Sequence, residues 1–519
     1  MSTLAKVQTV TVLGIQAYPA TVEVHIGRGL PQASVVGLAD TAVREARDRV
    51  KAAFESSGLQ WPRGKIVINL APADLPKAGA AFDLPIAAAI AVASGIAPPT
   101  FLEGAVVVGE LGLDGGLKRC RDILPIAAYC RQLRSKLVFP VHNSWEVALV
   151  EEVEAVPVED LSGLVSLMKG ESRPSLLMPS DNREPLPKPS GEERVGEAEI
   201  ASVMVEAPLG RGIAAAAAGM LNIFLWGPPG SGKTLIGRGF CALLPDLDTN
   251  ASLQVRMIHS LVSDRFDNQL PKRPPFRGPH HTVSPAALVG GGGGVPRPGE
   301  VSLAHHGVLF LDELALFSSP ALDALRQPLE DGVVRIARAK MTVEYPARPM
   351  VVAATNTCPC GASRRSQRNG DQSCRCSEQE RVRFLRKISG PFIDRFDLAL
   401  HMHPPDPAEL LQSKSEFDRR SMASMIEEAR ALLAARTGST TPLAWFPARA
   451  LRELLPLRAT ARSLLERWAV LQRVSARRIH KMMRLSWALS ALDGAEEPEL
   501  CHVEEALSMF VLPAELSES

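Results

Sequence analysis

The sequence predicts an α/β protein of several domains: a mixed α+β N-terminal unit, a central α/β unit and a C-terminal helical region. Three observations carry this. β-Branched runs alternate with helical periods over residues 1–168. An apolar strand at 222–226 runs straight into a glycine loop, with a helical run behind it. From about 405 to 517 the pattern is helical throughout.

The chain has 519 residues, which suggests about three or four domains. An apolar fraction of 46% and a charged fraction of 22% are those of an ordinary globular protein and exclude whole-chain disorder. Lys and Arg number 58 against 57 acidic residues, so the net charge is +1 and any basic surface has to be local. Residues 1–12 lack a basic stretch followed by an apolar one, so no signal peptide is expected. The apolar stretches 78–97 and 213–226 are too short or too interrupted to span a bilayer. The expectation is a cytoplasmic protein that does not engage membranes. Eight cysteines in so long a chain do not make a disulfide scaffold, and the four between Cys358 and Cys376 point to metal first.

In the N-terminal unit, residues 7–13, 21–26 and 65–70 read as strands. Residues 42–57 form an amphipathic helix with Val43, Ala46, Val50, Ala53 and Phe54 on one stripe. A more buried helix is expected at 82–94, then a strand over 105–111 ending in a Gly115-Gly116 turn. Residues 169–195 carry Pro, Ser and charge without periodicity and read as a linker. The central unit is placed at 196–403. Beyond it, in 404–519, helices are expected at 406–411, 419–436, 449–455, 459–472, 475–492 and 502–510.

The segment Gly227, Pro228, Pro229, Gly230, Ser231, Gly232, Lys233, Thr234 fits the phosphate-loop pattern G-x-x-x-x-G-K-[ST]. Glycines let backbone N–H groups turn inward around phosphates. Lys233 would reach the outer phosphates, Thr234 would bind Mg²⁺, and the following helix adds its positive end. About eighty residues on, the apolar run 308–311 delivers Asp312 and Glu313. The first suits the Mg²⁺ shell and the second a base that orients the attacking water. A further apolar strand, 351–354, ends at Thr355-Asn356, and Asn356 is the candidate sensor of the terminal phosphate. ATP and Mg²⁺ are the cofactors these residues imply.

Several longer segments resemble one family, the Mg-chelatase-like AAA+ ATPases called ComM or YifB. They are Val36-Gly-Leu-Ala-Asp-Thr-Ala-Val43, Asn69-Leu-Ala-Pro-Ala-Asp-Leu75, Phe276-Arg-Gly-Pro-His-His-Thr282, Ala287-Leu-Val-Gly-Gly291, Arg297-Pro-Gly-Glu300, Leu325-Arg-Gln-Pro-Leu-Glu-Asp-Gly332 and Gly390-Pro-Phe-Ile-Asp-Arg-Phe-Asp397. The resemblance covers nearly the whole chain. It implies a homo-hexameric ring with ATP between subunits, and an AAA+ core closed by the helical lid at 404–519. Arg395 matches the arginine finger and Arg477 the sensor arginine of the lid. A salt bridge from Arg395 to Asp394 or Asp397 is the alternative use of that residue. One segment departs from the pattern: Val203-Met-Val-Glu206 stands where the family has Val-x-Gly-Gln near the adenine.

Residues 1–168 resemble the Lon-protease-like domain of the same family. Lon-type proteolysis needs a serine and a lysine base. Here the serine segment reads Lys77-Ala-Gly-Ala-Ala-Phe-Asp83 and the lysine helix Asp122-Ile-Leu-Pro-Ile-Ala-Ala128. Neither carries the group required, so the expectation is a scaffold or oligomerisation role.

Cys358 and Cys360 are separated by thirteen residues from Cys374 and Cys376. Four thiolates can close a tetrahedral Zn²⁺ site, and metal would order a loop too polar to pack. Reduced thiols or a redox pair is the alternative. Two basic regions suggest DNA, single-stranded or branched. One runs through Arg364, Arg365, Arg368, Arg375, Arg381, Arg383, Arg386 and Lys387. The other, in the lid, includes Arg449, Arg452, Arg458, Arg462, Arg467, Arg473, Arg477, Arg478, Lys481 and Arg484, opposed only by Glu453 and Glu466. Residues 272–294, with His280 and His281, and a hairpin over 334–345 with 338–340 at its tip would face a ring pore. The resulting expectation is an ATP-driven DNA motor, a branch-migration helicase serving natural transformation together with recombination proteins. The alternatives are a chelatase-like ATPase that remodels a protein partner and a structural ring with weak turnover.

Overall fold

The computed structural model describes residues 3–174, 207–262, 269–360, 376–404 and 419–513, together with Cys374 and Leu516. Within those spans residues 31, 37–40, 74, 76, 78–79, 294, 339–340 and 389 are not described. The linker expectation over most of 169–195, the Val203–Glu206 departure, the 406–411 helix and the loop 361–373 therefore lie outside the described residues.

The chain opens with a seven-stranded sheet. Its strands are β1 (Thr3–Leu13), β2 (Gln16–Gly27), β3 (Gln32–Val36), β4 (Lys65–Ala71), β5 (Ala105–Val107), β6 (Lys136–Pro140) and β7 (Ala155–Val158), in the order β3-β4-β2-β1-β5-β6-β7. β1 and β2 form a long antiparallel hairpin turned at Gly14, whose φ of +66° needs no Cβ. Alternation sends Val22, Val24, Ile66, Ile68 and Leu70 to one face. There the helix Thr41–Ser56 lays down Ala46, Val50, Ala53 and Phe54, all fully buried, beside the apolar helix Asp83–Ala93. The strand expected over 105–111 is shorter. At Gly109 the chain turns against that helix, donating to Ala81 O and leaving no room for a Cβ beside Leu84, so Glu110–Leu111 pairs instead with Leu117–Lys118.

The central unit holds a five-stranded sheet, all parallel: β8 (Ile223–Trp226), β9 (Phe276–Arg277), β10 (Val308–Leu311), β13 (Met350–Thr355) and β14 (Leu398–His401), ordered β9-β10-β13-β8-β14. Between them in the chain, β11 (Val333–Arg338) and β12 (Met341–Pro346) form a separate antiparallel hairpin. Phe-Leu-Trp, Val-Leu-Phe-Leu and Met-Val-Val-Ala-Ala-Thr are near-continuous apolar runs because helices cover both sheet faces. The α/β class expected from the sequence holds.

The C-terminal helices Arg419–Thr437, Ala448–Leu454, Ala459–Leu471, Ala476–Leu492 and Leu500–Ser508 share a core with the helix Ala207–Gly219 and the sheet. Arg211 fastens the two, giving Nε to Glu505 at 2.7 Å and Nη1 to Asp493 at 2.8 Å. The N-terminal unit also rests on the central one. Val10, Val106 and Phe139 share a core with Leu253 and Met257 of the helix Thr249–Ser260, and Gly14 abuts Val343 and Tyr345 of the β11–β12 hairpin. Among the described residues, no helix is long and apolar enough to cross a membrane.

Candidate nucleotide and metal sites

The loops that matter leave the C-terminal ends of the parallel strands, where an open α/β sheet presents its crevice. β8 sits at the sheet's interior and hands the chain to Gly227. A Cβ there would lie 2.3 Å from Met402 O, and Gly227 N donates to Thr355 O at 3.3 Å. Gly230 and Gly232 take φ of +76° and +83°, curling the loop before the helix Lys233–Gly239 begins.

A cleft of about 350 Å³ opens at this point, lined by Pro229, Gly230, Gly232, Lys233, Thr234, Asp312, Glu313, Thr355 and Asn356 among others. The phosphate-loop residues, the acidic pair and the strand-ending Asn, drawn from three separate strands, thus meet in one place. Thr234 Oγ1 donates to Asp312 Oδ2 at 2.9 Å, and Glu313 N donates to Asp312 Oδ1 at 2.9 Å. Lys233 Nζ donates to Gly227 O, Pro228 O and Ser231 Oγ at 3.0, 2.6 and 3.2 Å. Burial pulls its ammonium down to about 8, with Asp312 opposing. Glu313 is exposed and sits at φ +52°, a left-handed conformation unusual for a side chain of its size. His281 Nδ1 lies 3.6 Å from its carboxylate. The sequence alone gives the His280-His281 pair a pore-facing place. Its neighbourhood to Glu313 arises because β9 pairs with β10, which residue types alone do not reveal.

A buried Lys, a hydroxyl beside a carboxylate, a second carboxylate and a glycine loop leading into a helix are the groups that would hold a Mg²⁺–nucleoside triphosphate. Arg395 and Arg477, by contrast, are not among the residues lining this cleft. They meet elsewhere, on one carboxylate. Arg395 Nη2 is 2.7 Å from Glu330 Oε2, and Arg477 Nη2 donates to Glu330 Oε1. Glu330 belongs to the helix Ser319–Asp331. Arg478 is buried instead, donating to Phe396 O and Asp394 Oδ1 at 3.1 Å each, over the ring of Phe510. Lys481 Nζ joins it on Asp394 O and Phe396 O at 2.6 and 3.0 Å. These contacts pin the lid helix Ala476–Leu492 to the segment that carries Arg395.

The four cysteines also come together. Their sulfurs all lie within 4.8 Å of one another. Cys358 and Cys360 are 3.3 Å apart, and each is 3.6 Å from Cys374. A tetrahedron of thiolates at the usual zinc–sulfur distance has edges of roughly 3.8 Å, so the cluster fits such an ion. Burial and neighbouring thiols push the Cys358 thiol up to about 12, and a bound cation would displace its proton.

The basic regions are less free than their composition suggests. Arg381, Arg478 and Lys481 are buried. Arg449, Arg458 and Arg462 pair with Glu453, Glu497 and Glu466. Exposed Arg383, Arg386 and Lys387 remain along one open groove with Glu378, while the arginines of 361–373 and Arg375 lie outside the described residues.

Fold and cleft together define a P-loop α/β protein with a helical C-terminal region. Comparison with known proteins agrees. Residues 199–410 match the family model "Magnesium chelatase, subunit ChlI", residues 22–143 "Subunit ChlI of Mg-chelatase", and residues 418–509 "Magnesium chelatase, subunit ChlI C-terminal". YifB of Escherichia coli is 36% identical over 506 residues, covering 97% of this chain and 96% of that protein. Competence protein ComM of Haemophilus influenzae is 34% identical over 508 residues, covering 97% of each. YifB of Salmonella typhimurium is 39% identical over 413 residues, 80% of this chain and 78% of that one. The chain belongs to the ComM/YifB family of Mg-chelatase-like AAA+ ATPases.

Proposed function

We propose that the chain is an ATP-driven ring motor that moves on single-stranded or branched DNA, a branch-migration helicase of natural transformation and recombination. The observation that carries this is the division of labour between two surfaces. Lys233, Thr234, Asp312, Glu313 and Asn356 share a cleft, whereas Arg395 and Arg477 stand together on Glu330 outside it. Cationic guanidiniums placed away from their own phosphate site suit a neighbouring subunit's site, which supports a homo-hexamer with hydrolysis coupled to assembly. Within the cleft, Lys233 and the loop amides would hold the phosphates, while Thr234 and Asp312 would hold Mg²⁺. Mg²⁺ held there would supply Lewis-acid stabilisation of the charge on the transferring phosphoryl group. Glu313 would take a proton from the attacking water, and Asn356 would orient that water. The name of the Haemophilus relative supports a role in competence. We also assign Zn²⁺ to Cys358, Cys360, Cys374 and Cys376.

The test is displacement of a labelled strand from a three- or four-way DNA junction with ATP and Mg²⁺. The wild type should resolve the junction, and Glu313→Gln should bind nucleotide without resolving it. Turnover of ATP unchanged by DNA, with no strand displaced, refutes the DNA motor and directs attention to a protein partner.

A further inference from the structure

The cysteine cluster occupies a position that bears on catalysis. Cys358 follows Asn356 by two residues, and it is buried where β13 ends. Asn356 lines the nucleotide cleft, and Thr355 before it is anchored through its carbonyl to Gly227 N. On the far side of the cluster, Cys376 abuts Ser377, which caps the helix Glu378–Leu385 in a reciprocal box. Ser377 N donates to Glu380 Oε2 at 2.8 Å, and Glu380 N donates to Ser377 Oγ at 3.2 Å. That helix buries Phe384 and Leu385 in the same core as Phe392, Ile393 and Phe396, the residues around Arg395. Four sulfurs therefore gather where the strand end carrying Asn356 meets the helix leading to Arg395.

We infer that the metal held by these cysteines is a strut for hydrolysis: it fixes Asn356 against the terminal phosphate and ties that residue to the block bearing Arg395. This rests on the reading of the cleft as an ATPase centre and of the cluster as a metal site. Asn356 acts here as a group touching the reacting water, and the cysteines are positioning residues. The thiolates bond the ion and do not enter the reaction. Nucleotide binding is carried by the phosphate loop, which is closed by its own contacts, so metal should govern turnover far more than affinity.

The experiment uses the full chain. Zinc content is measured on purified wild type, on Cys360→Ser/Cys376→Ser and on Cys360→His, whose imidazole can still ligate. For each, kcat, KM, the Kd of a fluorescent ATP analogue and the melting temperature are recorded. The wild type is also stripped with a chelator and restored with Zn²⁺. The expected result is about one zinc per wild-type chain and loss of metal from the double variant. The double variant should keep its nucleotide Kd within about twofold while kcat falls by ~10-fold or more, and Cys360→His should recover both metal and rate. In the stripped wild type, assayed with Mg²⁺ present, added zinc should restore kcat.

Metal-free wild type with full turnover removes the metal reading. A metal-free variant with wild-type kcat leaves the metal site standing and overturns the strut. Parallel loss of Kd and kcat also overturns it, because the ion would then be organising the whole phosphate loop. Absence of ATP turnover in fully metallated wild type strikes at the ATPase reading instead.

Discussion

Gly237 offers a sharp test of how the cleft is assembled. A Cβ at this position would lie 2.1, 2.4 and 2.5 Å from three ring carbons of Phe310. Ordinary carbon contacts sit near ~3.5–4.0 Å, so Gly237→Ala forces the helix and β10 apart by more than ~1 Å. Phe310 is only 3% exposed and cannot swing into solvent. Overpacking of this kind costs about 1–3 kcal/mol, and at ~2–4 °C per kcal/mol the melting temperature should drop by several degrees. The functional cost follows from periodicity. Thr234 lies one turn before Gly237 on the same helix face, and Asp312 lies two residues beyond Phe310, just past the end of the strand. Separating the pair stretches the 2.9 Å Thr234–Asp312 bond past hydrogen-bonding range. A shift of ~1 Å is commonly worth about 100-fold in rate, so turnover should fall by about that much. Thermal unfolding and steady-state ATP turnover measure the two effects. Phe310→Leu, placed in the Gly237→Ala background, should restore much of both, with a coupling of at least ~1 kcal/mol. Wild-type melting and wild-type turnover in Gly237→Ala alone would refute the reasoning.

Further outcomes follow from ionisable groups. Lys233 is depressed by burial to about 8, and phosphate binding requires its ammonium. Nucleotide affinity should therefore weaken by about tenfold between pH 7 and pH 9, while Lys233→Arg stays flat across that range; a flat wild-type titration contradicts this. For folding the sign is opposite: between about 8 and 10.5 the unfolded chain holds this proton more tightly, so the Lys233 contribution to stability rises with pH. In the N-terminal unit, Asp83 is fully buried and receives Arg49 Nε at 2.8 Å and Nη2 at 2.9 Å, and burial raises its carboxyl to about 6 against that pairing. Arg49→Met strands the carboxylate and should cost ~3–5 kcal/mol at neutral pH, with Asp83→Asn added to it recovering part. Chemical denaturation that finds Arg49→Met unchanged would show the pair to be dispensable.

The cleft was legible from residues because each of its parts is a local pattern: a glycine loop after a strand, an acidic pair after an apolar run, an Asn at a strand tip. Long helices of the lid were legible too, since their apolar period runs over several turns. Short elements were not. Gln32–Val36, Lys136–Pro140 and Ala155–Val158 are five residues or fewer and carry too little alternation to declare themselves. Pairings across the chain were invisible for a different reason. Glu330 meets Arg395 and Arg477 across 65 and 147 residues, and Glu497 neutralises Arg458 across 39. A basic run reads as a free surface until the remote acids that fold against it are known.

The seat of Gly14 against Val343 and Tyr345 gives the β11–β12 hairpin the mechanics of a cantilever. One end is clamped to the seven-stranded sheet, and the other reaches out to Arg338, which rests on Gly292 O at 3.0 Å. Load applied near Arg338 would be passed along the ribbon to the Gly14 contact, so the N-terminal unit would stiffen the hairpin. On the proposed function, the N-terminal unit would thereby set how far the hairpin moves in each cycle.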